Sequence, residues 1–252
     1  MRLLPPQSFD QSPAEMSYYA VRLVSDILGC EDPFADEKHK SNAAMLELYP
    51  ELKSIVDSSQ DKLHTAVKLT AAGNIIDMGI LREFDVNDAI DDVLERSFQI
   101  DHFEFLRKDL EKAKSILYLA DNAGEIVADK LFLETLDRND VVVAVNERPI
   151  LNDATMEDAI DAGLTKIVTV IDNGSDGPGT ILETCSEEFL SCMDQSDLII
   201  AKGQGNYETL SDLDKNIYFI LKAKCPVVAA DLGCDIGQMV LKRNQATENV
   251  NL

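Results

Sequence analysis

The sequence has no tryptophan and only three histidines, His39, His64 and His102, which are not clustered. A histidine-based metal site or a Ser-His-Asp arrangement therefore has no support, since both need converging imidazoles. The five cysteines, Cys30, Cys185, Cys192, Cys225 and Cys234, are odd in number, scattered and without a Cys-x-x-Cys pair. In a chain of 252 residues that argues against a disulfide framework and for isolated, buried thiols. Long apolar runs are missing as well. No stretch approaches the ~18 apolar residues of a membrane span, and no basic start leads into an apolar segment at the N-terminus, so a cytoplasmic location is expected. Positive charge is scarce, with 23 basic against 46 acidic residues and a formal net charge of -23. That argues against nucleic acid or an anionic membrane as partner. It leaves room for a phosphorylated small molecule, because a bound cation and one lysine reverse the field locally.

What is present is enough apolar residue, 45% of the chain, for a real core. The first 114 residues carry almost no strand signal and are expected to form a helical subdomain. Met16, Tyr19, Ala20, Leu23, Val24 and Ile27 recur at helical spacing, and Gly29 follows as a stop. A second helix is expected over 34–48, ended by Pro50, and a third through Leu52 and Ile55. Further helices are expected over 61–79, 88–98 and 102–114. From 115 to 252 the pattern changes. Apolar runs of strand length at 116–120, 141–145, 167–171, 198–201, 218–221 and 227–230 alternate with helical stretches near 125–137, 153–162, 180–193 and 205–212. Such alternation implies an α/β fold with a mainly parallel sheet and helices on both faces. The closely spaced pair of runs around Cys225-Pro226 leaves no room for a crossover helix, so the sheet is expected to be mixed at that edge.

The loops after these runs share one sheet edge if the runs are parallel, and ligands of open α/β sheets bind there. The first loop is Asp121-Asn122-Ala123-Gly124-Glu125. A carboxylate and an amide are hard oxygen ligands suited to Mg²⁺, Mn²⁺ or a similar cation, although Asp121 equally reads as a helix cap. Asn152-Asp153 offers a second carboxylate, again open to a capping role. Lys202-Gly203-Gln204-Gly205-Asn206 places a lysine beside glycines at a helix start, a pattern that lets backbone amides approach an anion. It is neither a Walker loop nor a dinucleotide fingerprint, and a plain tight turn explains it about as well. Asp176-Gly177-Pro178-Gly179-Thr180 is a turn. Asn74 and Asp77 are unusual on an otherwise apolar helix.

Together, Gly73-Asn74-Ile75-Ile76-Asp77, Asp121-Asn122-Ala123-Gly124-Glu125, Asn152-Asp153 and Lys202-Gly203-Gln204-Gly205-Asn206-Tyr207-Glu208 resemble the metal-dependent damage-control phosphatases. This family includes members described as acidic-residue methyltransferases. Asp32-Pro33-Phe34 through Ser41-Asn42, and Leu48-Tyr49-Pro50-Glu51-Leu52, are similar to its helical region. Residues 1–13 lack the paired cysteines of its short stand-alone members. The resemblance implies a Rossmann-like three-layer α/β/α sandwich with a helical region. It implies metal ligation by Asp121, Asn122 and Asp153, a phosphate-side role for Lys202, and a pocket lined by Asn74, Glu125 and Asn206.

The expected activity is hydrolysis of phosphorylated small metabolites, such as sugar phosphates or damaged phosphometabolites, with Mg, Mn, Co or Ni as cofactor. Asp121, Asp153 and Lys202 are the expected catalytic residues. The amides around Gly203 and Gly205 are expected to face substrate. Two rivals are an S-adenosylmethionine-dependent carboxyl methyltransferase and a non-catalytic phospholigand-binding module. The first is disfavoured because the first loop carries Asp-Asn and one glycine. A haloacid-dehalogenase phosphatase is excluded, since no Asp-x-Asp follows the first strand.

Overall fold

The structure, a computed structural model, describes residues 12–73 and 86–244, so Asn74 and Asp77 lie outside the described residues. Among the described residues four helices come first: α1 (Pro13–Leu28), α2 (Ala35–Ser58), α3 (Lys62–Ala71) and α4 (Val86–Glu95). A short strand β1 (Ile100–Asp101) and helix α5 (Phe103–Lys112) follow. Strands and helices then alternate as β2 (Ile116–Leu119), α6 (Glu125–Leu136), β3 (Val141–Val145), α7 (Met156–Asp161), β4 (Thr169–Asp172), α8 (Glu187–Gln195), β5 (Leu198–Lys202), α9 (Gly203–Leu210), β6 (Ile217–Lys222), α10 (Pro226–Leu232) and β7 (Met239–Arg243). The seven strands form one sheet in the order β1-β7-β6-β5-β2-β3-β4. Every pairing is parallel except β6 with β7. Strand side chains alternate between faces. Ile116, Tyr118, Leu198 and Ile200 join a core with α2, α3 and α6, whereas Leu117, Leu119, Ile199 and Ala201 join one with α8, α9 and α10. The result is the expected three-layer α/β architecture.

Three expectations need correction. Pro50 lies inside one continuous α2 rather than ending a helix. The missing hydrogen bond and ring clash cost about 3 kcal/mol, but Leu52 and Val56, beyond the proline, are buried with Met45 before it, and each such side chain returns roughly 1.5–3 kcal/mol. The run at 227–230 is helix α10, not strand. Pro226 stands at its first turn, Cys225 Sγ accepts from the Val228 N–H at 3.5 Å, and Gly233 at φ 74° closes it, a start-and-stop pair that overrides the β-branched Val-Val. Asp231 lies in the last turn of this helix, and its carboxylate accepts from the Tyr207 hydroxyl. The sheet is mixed at that edge as expected, but through β7, and β1 adds a strand within the stretch read as helical. The first helix is as expected, α1 stopping at Gly29 with φ 62°; it buries only Ala14 and leaves Val24, Ile27 and Leu28 more than half exposed. No described helix is long and apolar enough to cross a membrane.

Candidate active site

β2 and β5 are neighbours at the centre of the sheet. The chain leaves β2 through α6 toward β3 on one face and leaves β5 through α9 toward β6 on the other. This is a topological switch point, where the loops part and open a crevice at the carboxyl ends of the strands. The loop after β2 and the loop before α7 are zipped across it. The Ala154 N–H donates to the Asp121 carbonyl at 2.8 Å, and the Ala123 N–H to the Asn152 carbonyl at 2.9 Å. Asn122 and Asp153 become bridge partners. Asp121, Asn122 and Asp153, 32 positions apart at most, thus meet.

The capping alternatives do not hold. α6 has Gly124 at its cap position, with no side-chain cap bond from that residue. α7 is capped by Thr155, with Asp158 reaching back to the Thr155 N–H at 2.8 Å. Asp121 and Asp153 are therefore not employed as caps. Asp121 is partly exposed, and its carboxylate accepts from Asn122 Nδ2 at 2.7 Å. Asp153, 8% exposed, accepts from Asn146 Nδ2 at 3.2 Å and the Gly179 N–H at 3.4 Å. Asn122 Nδ2 also donates to Glu125 Oε1 at 2.8 Å, which leaves its Oδ1 as the atom to offer a cation.

Gly203 shows how closely α9 approaches. Its φ is +80°, and a Cβ there would sit 2.0 Å from Asp121 Oδ2, so only glycine lets the helix begin against that carboxylate. Gly205 and Gly179 meet backbone to backbone; a Cβ on Gly179 would lie 2.6 Å from the Gly205 carbonyl. Asn206 fastens three loops. Its Nδ2 donates to the carbonyls of Lys202 at 2.8 Å and Ala120 at 3.2 Å, and its Oδ1 accepts from the Thr180 hydroxyl at 2.7 Å. Both ends of this carboxamide are engaged by protein, so it shapes the pocket wall. Gly73, at the edge of the described residues, packs against Glu125.

Lys202 is only 1% exposed, and its ammonium lies between Asp129 Oδ1 at 2.8 Å and Glu125 Oε2 at 3.3 Å. Burial pulls its pKa down, but Asp129 and Glu125 outweigh it and hold the lysine above its ordinary range. Burial raises Asp129 to about 6 despite the lysine. Sequence reasoning missed Lys224 beyond β6, an exposed lysine whose N–H donates to Gln204 Oε1 at 2.9 Å and whose charge is felt at both Asp121 and Asp153. It also missed Lys38 and Asn42 on α2. Nothing in a lone Lys-Ala-Lys-Cys loop or a polar helix turn distinguishes them from solvated surface.

The donor set fits a hard divalent cation. Two carboxylates and an amide oxygen converge, and neither Asp121 nor Asp153 makes a salt bridge among the described residues. Among those residues no group of three His, Cys, Asp or Glu side chains gathers to hold a metal, so the donor set is two carboxylates and one amide oxygen. The electrostatics agree. Burial, then the Glu125 carboxylate, push Asp121 well above the usual carboxylate range, and burial raises Asp153 to about 7. In chelator-stripped protein the sign follows from linkage. The folded state holds protons that an unfolded carboxyl releases near pH ~4, so stability falls as pH rises from about 4 to about 7 and then levels. Thermal melts in chelator at pH 5 and pH 8 check this. The melting temperature is expected to be lower at pH 8, with the difference reduced in Asp153→Asn; an unchanged difference would refute the assignment to Asp153.

A mixed-sheet α/β protein with an acidic, oxygen-rich crevice at its switch point is the class these features define. The chain belongs to the damage-control phosphatase ARMT1-like domain family, whose description matches residues 1–240. It is 38% identical over 227 residues to a damage-control phosphatase of Pyrococcus horikoshii, covering 86% of this chain and 77% of that protein. It is 39% identical over 229 residues to a damage-control phosphatase of Archaeoglobus fulgidus, covering 88% and 79%. An uncharacterized protein of Methanocaldococcus jannaschii is 42% identical over 240 residues, covering 91% and 79%. The crystal structure of a DUF89 family protein from Pyrococcus horikoshii superposes with a TM-score of 0.80 at 35% identity, covering 91% of this chain and 82% of that one.

Proposed function

We propose that this chain is a divalent-cation-dependent phosphatase of small phosphorylated metabolites. The observation that carries this reading is the meeting of Asp121, Asn122 and Asp153 at the switch point, beside a helix that starts on Gly203. The names of the relatives support the phosphatase half of it. A cation held there would act as a Lewis acid on phosphoryl oxygens. The chain's own groups do the rest. The first-turn amides of α9, at Gly203 and Gly205, have no intrahelical partner and favour an anion. Lys224 offers an exposed ammonium to substrate oxygens. Asn206 and Gly179 hold the wall against which the substrate rests. Hydrolysis breaks the ester P–O bond, joins the oxygen of water to phosphorus and returns the proton to the leaving alcohol. No observation favours the methyltransferase or the binding module.

The test is hydrolysis of an aryl phosphate by chelator-stripped protein, with Mg²⁺, Mn²⁺, Co²⁺ or Ni²⁺ restored singly. Turnover is expected only with metal and is expected to vanish in folded Asp121→Ala. Lys224→Ala is expected to raise KM about tenfold, the cost of one exposed charge contact, with kcat less affected. Folded protein that binds the cation yet hydrolyses nothing with any of the four would overturn the proposal.

A further inference from the structure

The crevice is not held by the sheet alone. The loop after β2 turns at Gly124, with φ 76° and ψ -56°, and the Gly124 N–H donates to Asn42 Oδ1 at 2.7 Å. Asn42 stands on α2, outside the α/β alternation. Its Nδ2 donates to Asp158 Oδ1 at 2.9 Å. Asp158 lies in the first turn of α7, where its Oδ2 accepts from the Thr155 N–H at 2.8 Å, the Thr155 hydroxyl at 2.9 Å and Lys38 Nζ at 2.9 Å. Asn42 and Asp158 are each 2% exposed. Gly124 is two residues from Asn122, and Thr155 two residues from Asp153. A single carboxamide therefore spans the two loops that carry opposite ends of the donor set, without touching any donor.

We infer that Asn42 is a positioning residue. Through Gly124 and Asp158 it sets where Asp121 and Asn122 stand relative to Asp153, so cation affinity depends on a helix that never meets the cation. This rests on the cation reading above. The alternative is a buried polar network that only stabilises the fold. The two differ in what they predict for binding. A residue that merely stabilises changes the melting temperature and leaves the affinity of the folded protein alone. One that positions ligands changes affinity by the 10–100-fold typical of groups behind metal ligands.

The experiment is calorimetric titration of Mn²⁺ into the chelator-stripped full chain, in the parent, Asn42→Ala, Asn42→Asp and Asn42→Asp/Asp158→Asn. Thr70→Val is the control, because the buried Thr70 hydroxyl joins α3 to the Ala128 carbonyl, away from both loops. Asn42→Ala is expected to weaken Mn²⁺ binding at least ~10-fold, whereas Thr70→Val stays within about twofold, the scatter expected where no ligand moves. Asn42→Asp keeps the acceptor for Gly124 but sets a carboxylate against Asp158, so it is expected to weaken binding too. Exchanging acid and amide in the double variant is expected to recover most of it. Parent-like affinity in folded Asn42→Ala overturns the inference. If Asn42→Ala does not fold, equal affinities in Asn42→Asp and the double variant overturn it instead. A parent that binds no Mn²⁺ removes the cation reading itself, and this inference with it.

Discussion

Asp153→Asn is expected to lower metal-dependent turnover at least ~100-fold and, in chelator at pH 8, to raise the melting temperature. The two effects share one cause. The Asp153 carboxylate is buried and, among the described residues, accepts from two neutral donors, Asn146 Nδ2 and the Gly179 N–H, the latter at 3.4 Å. Ionising it there is unfavourable, which is why its pKa rises to about 7. Above that pH a stripped protein carries a buried charge with no direct ion pair among the described residues, felt only at a distance by Lys224 and Lys38. An asparagine keeps the shape and can keep both hydrogen bonds through Oδ1, but has no charge to desolvate. The gain is on the order of 1–3 kcal/mol, which for a chain of this size corresponds to ~5 °C. Losing a direct ligand costs more than losing a group behind one, so turnover is expected to fall beyond the range seen for outer residues. Melting curves in chelator, paired with turnover at saturating Mn²⁺, read both signs. An Asp153→Asn protein that melts lower than the parent at pH 8 would show that the carboxylate is well paired and that the site stores no such strain. Sites that trade stability for activity behave in the expected way.

How much of this was legible in the sequence follows from the range of the interactions. Continuous apolar runs of strand length are local signals, so the central strands were visible, and with them the loops that Asp121, Asn122 and Asp153 begin or end. β1 and β7 were not, because a two-residue strand and a Met-Val-Leu-Lys-Arg strand take their order from pairing with each other rather than from their own pattern. Pro50 misled for the opposite reason: its local cost is real, but burial on both sides of it outweighs that cost. Within the site, the proximity of Asp121 to Asp153 was inferred from a shared sheet edge. The bridging by Asn42, the exposure of Lys224 and the clamp made by Asn206 depend on contacts 82, 20 and 86 positions apart, and residue type alone says nothing about those.

Lys202 is where geometry changes the reading most, and it carries the second large effect. Lys202→Met is expected to cost about 3–5 kcal/mol of stability, lowering the melting temperature by roughly 10 °C. The lysine is the last residue of β5, a strand buried at every position, and turns its ammonium away from solvent, between Asp129 and Glu125. Asp129 has no exposed surface, and its Oδ2 lies by the buried Tyr118 hydroxyl without good hydrogen-bond geometry. Removing the cation leaves a carboxylate with nowhere to place its charge. Adding Asp129→Asn to Lys202→Met is therefore expected to return a large part of the loss, whereas two independent sites would only add. Glu125 links this cluster to the proposed ligand Asn122, since its Oε1 accepts from Asn122 while its Oε2 accepts from Lys202. The lysine thus acts on the crevice through the orientation of Asn122. The denaturant midpoints of the parent, both single variants and the double variant test the argument. A Lys202→Met protein within about 1 kcal/mol of the parent, below any buried-pair cost, would return Lys202 to the surface of the crevice and to direct contact with substrate.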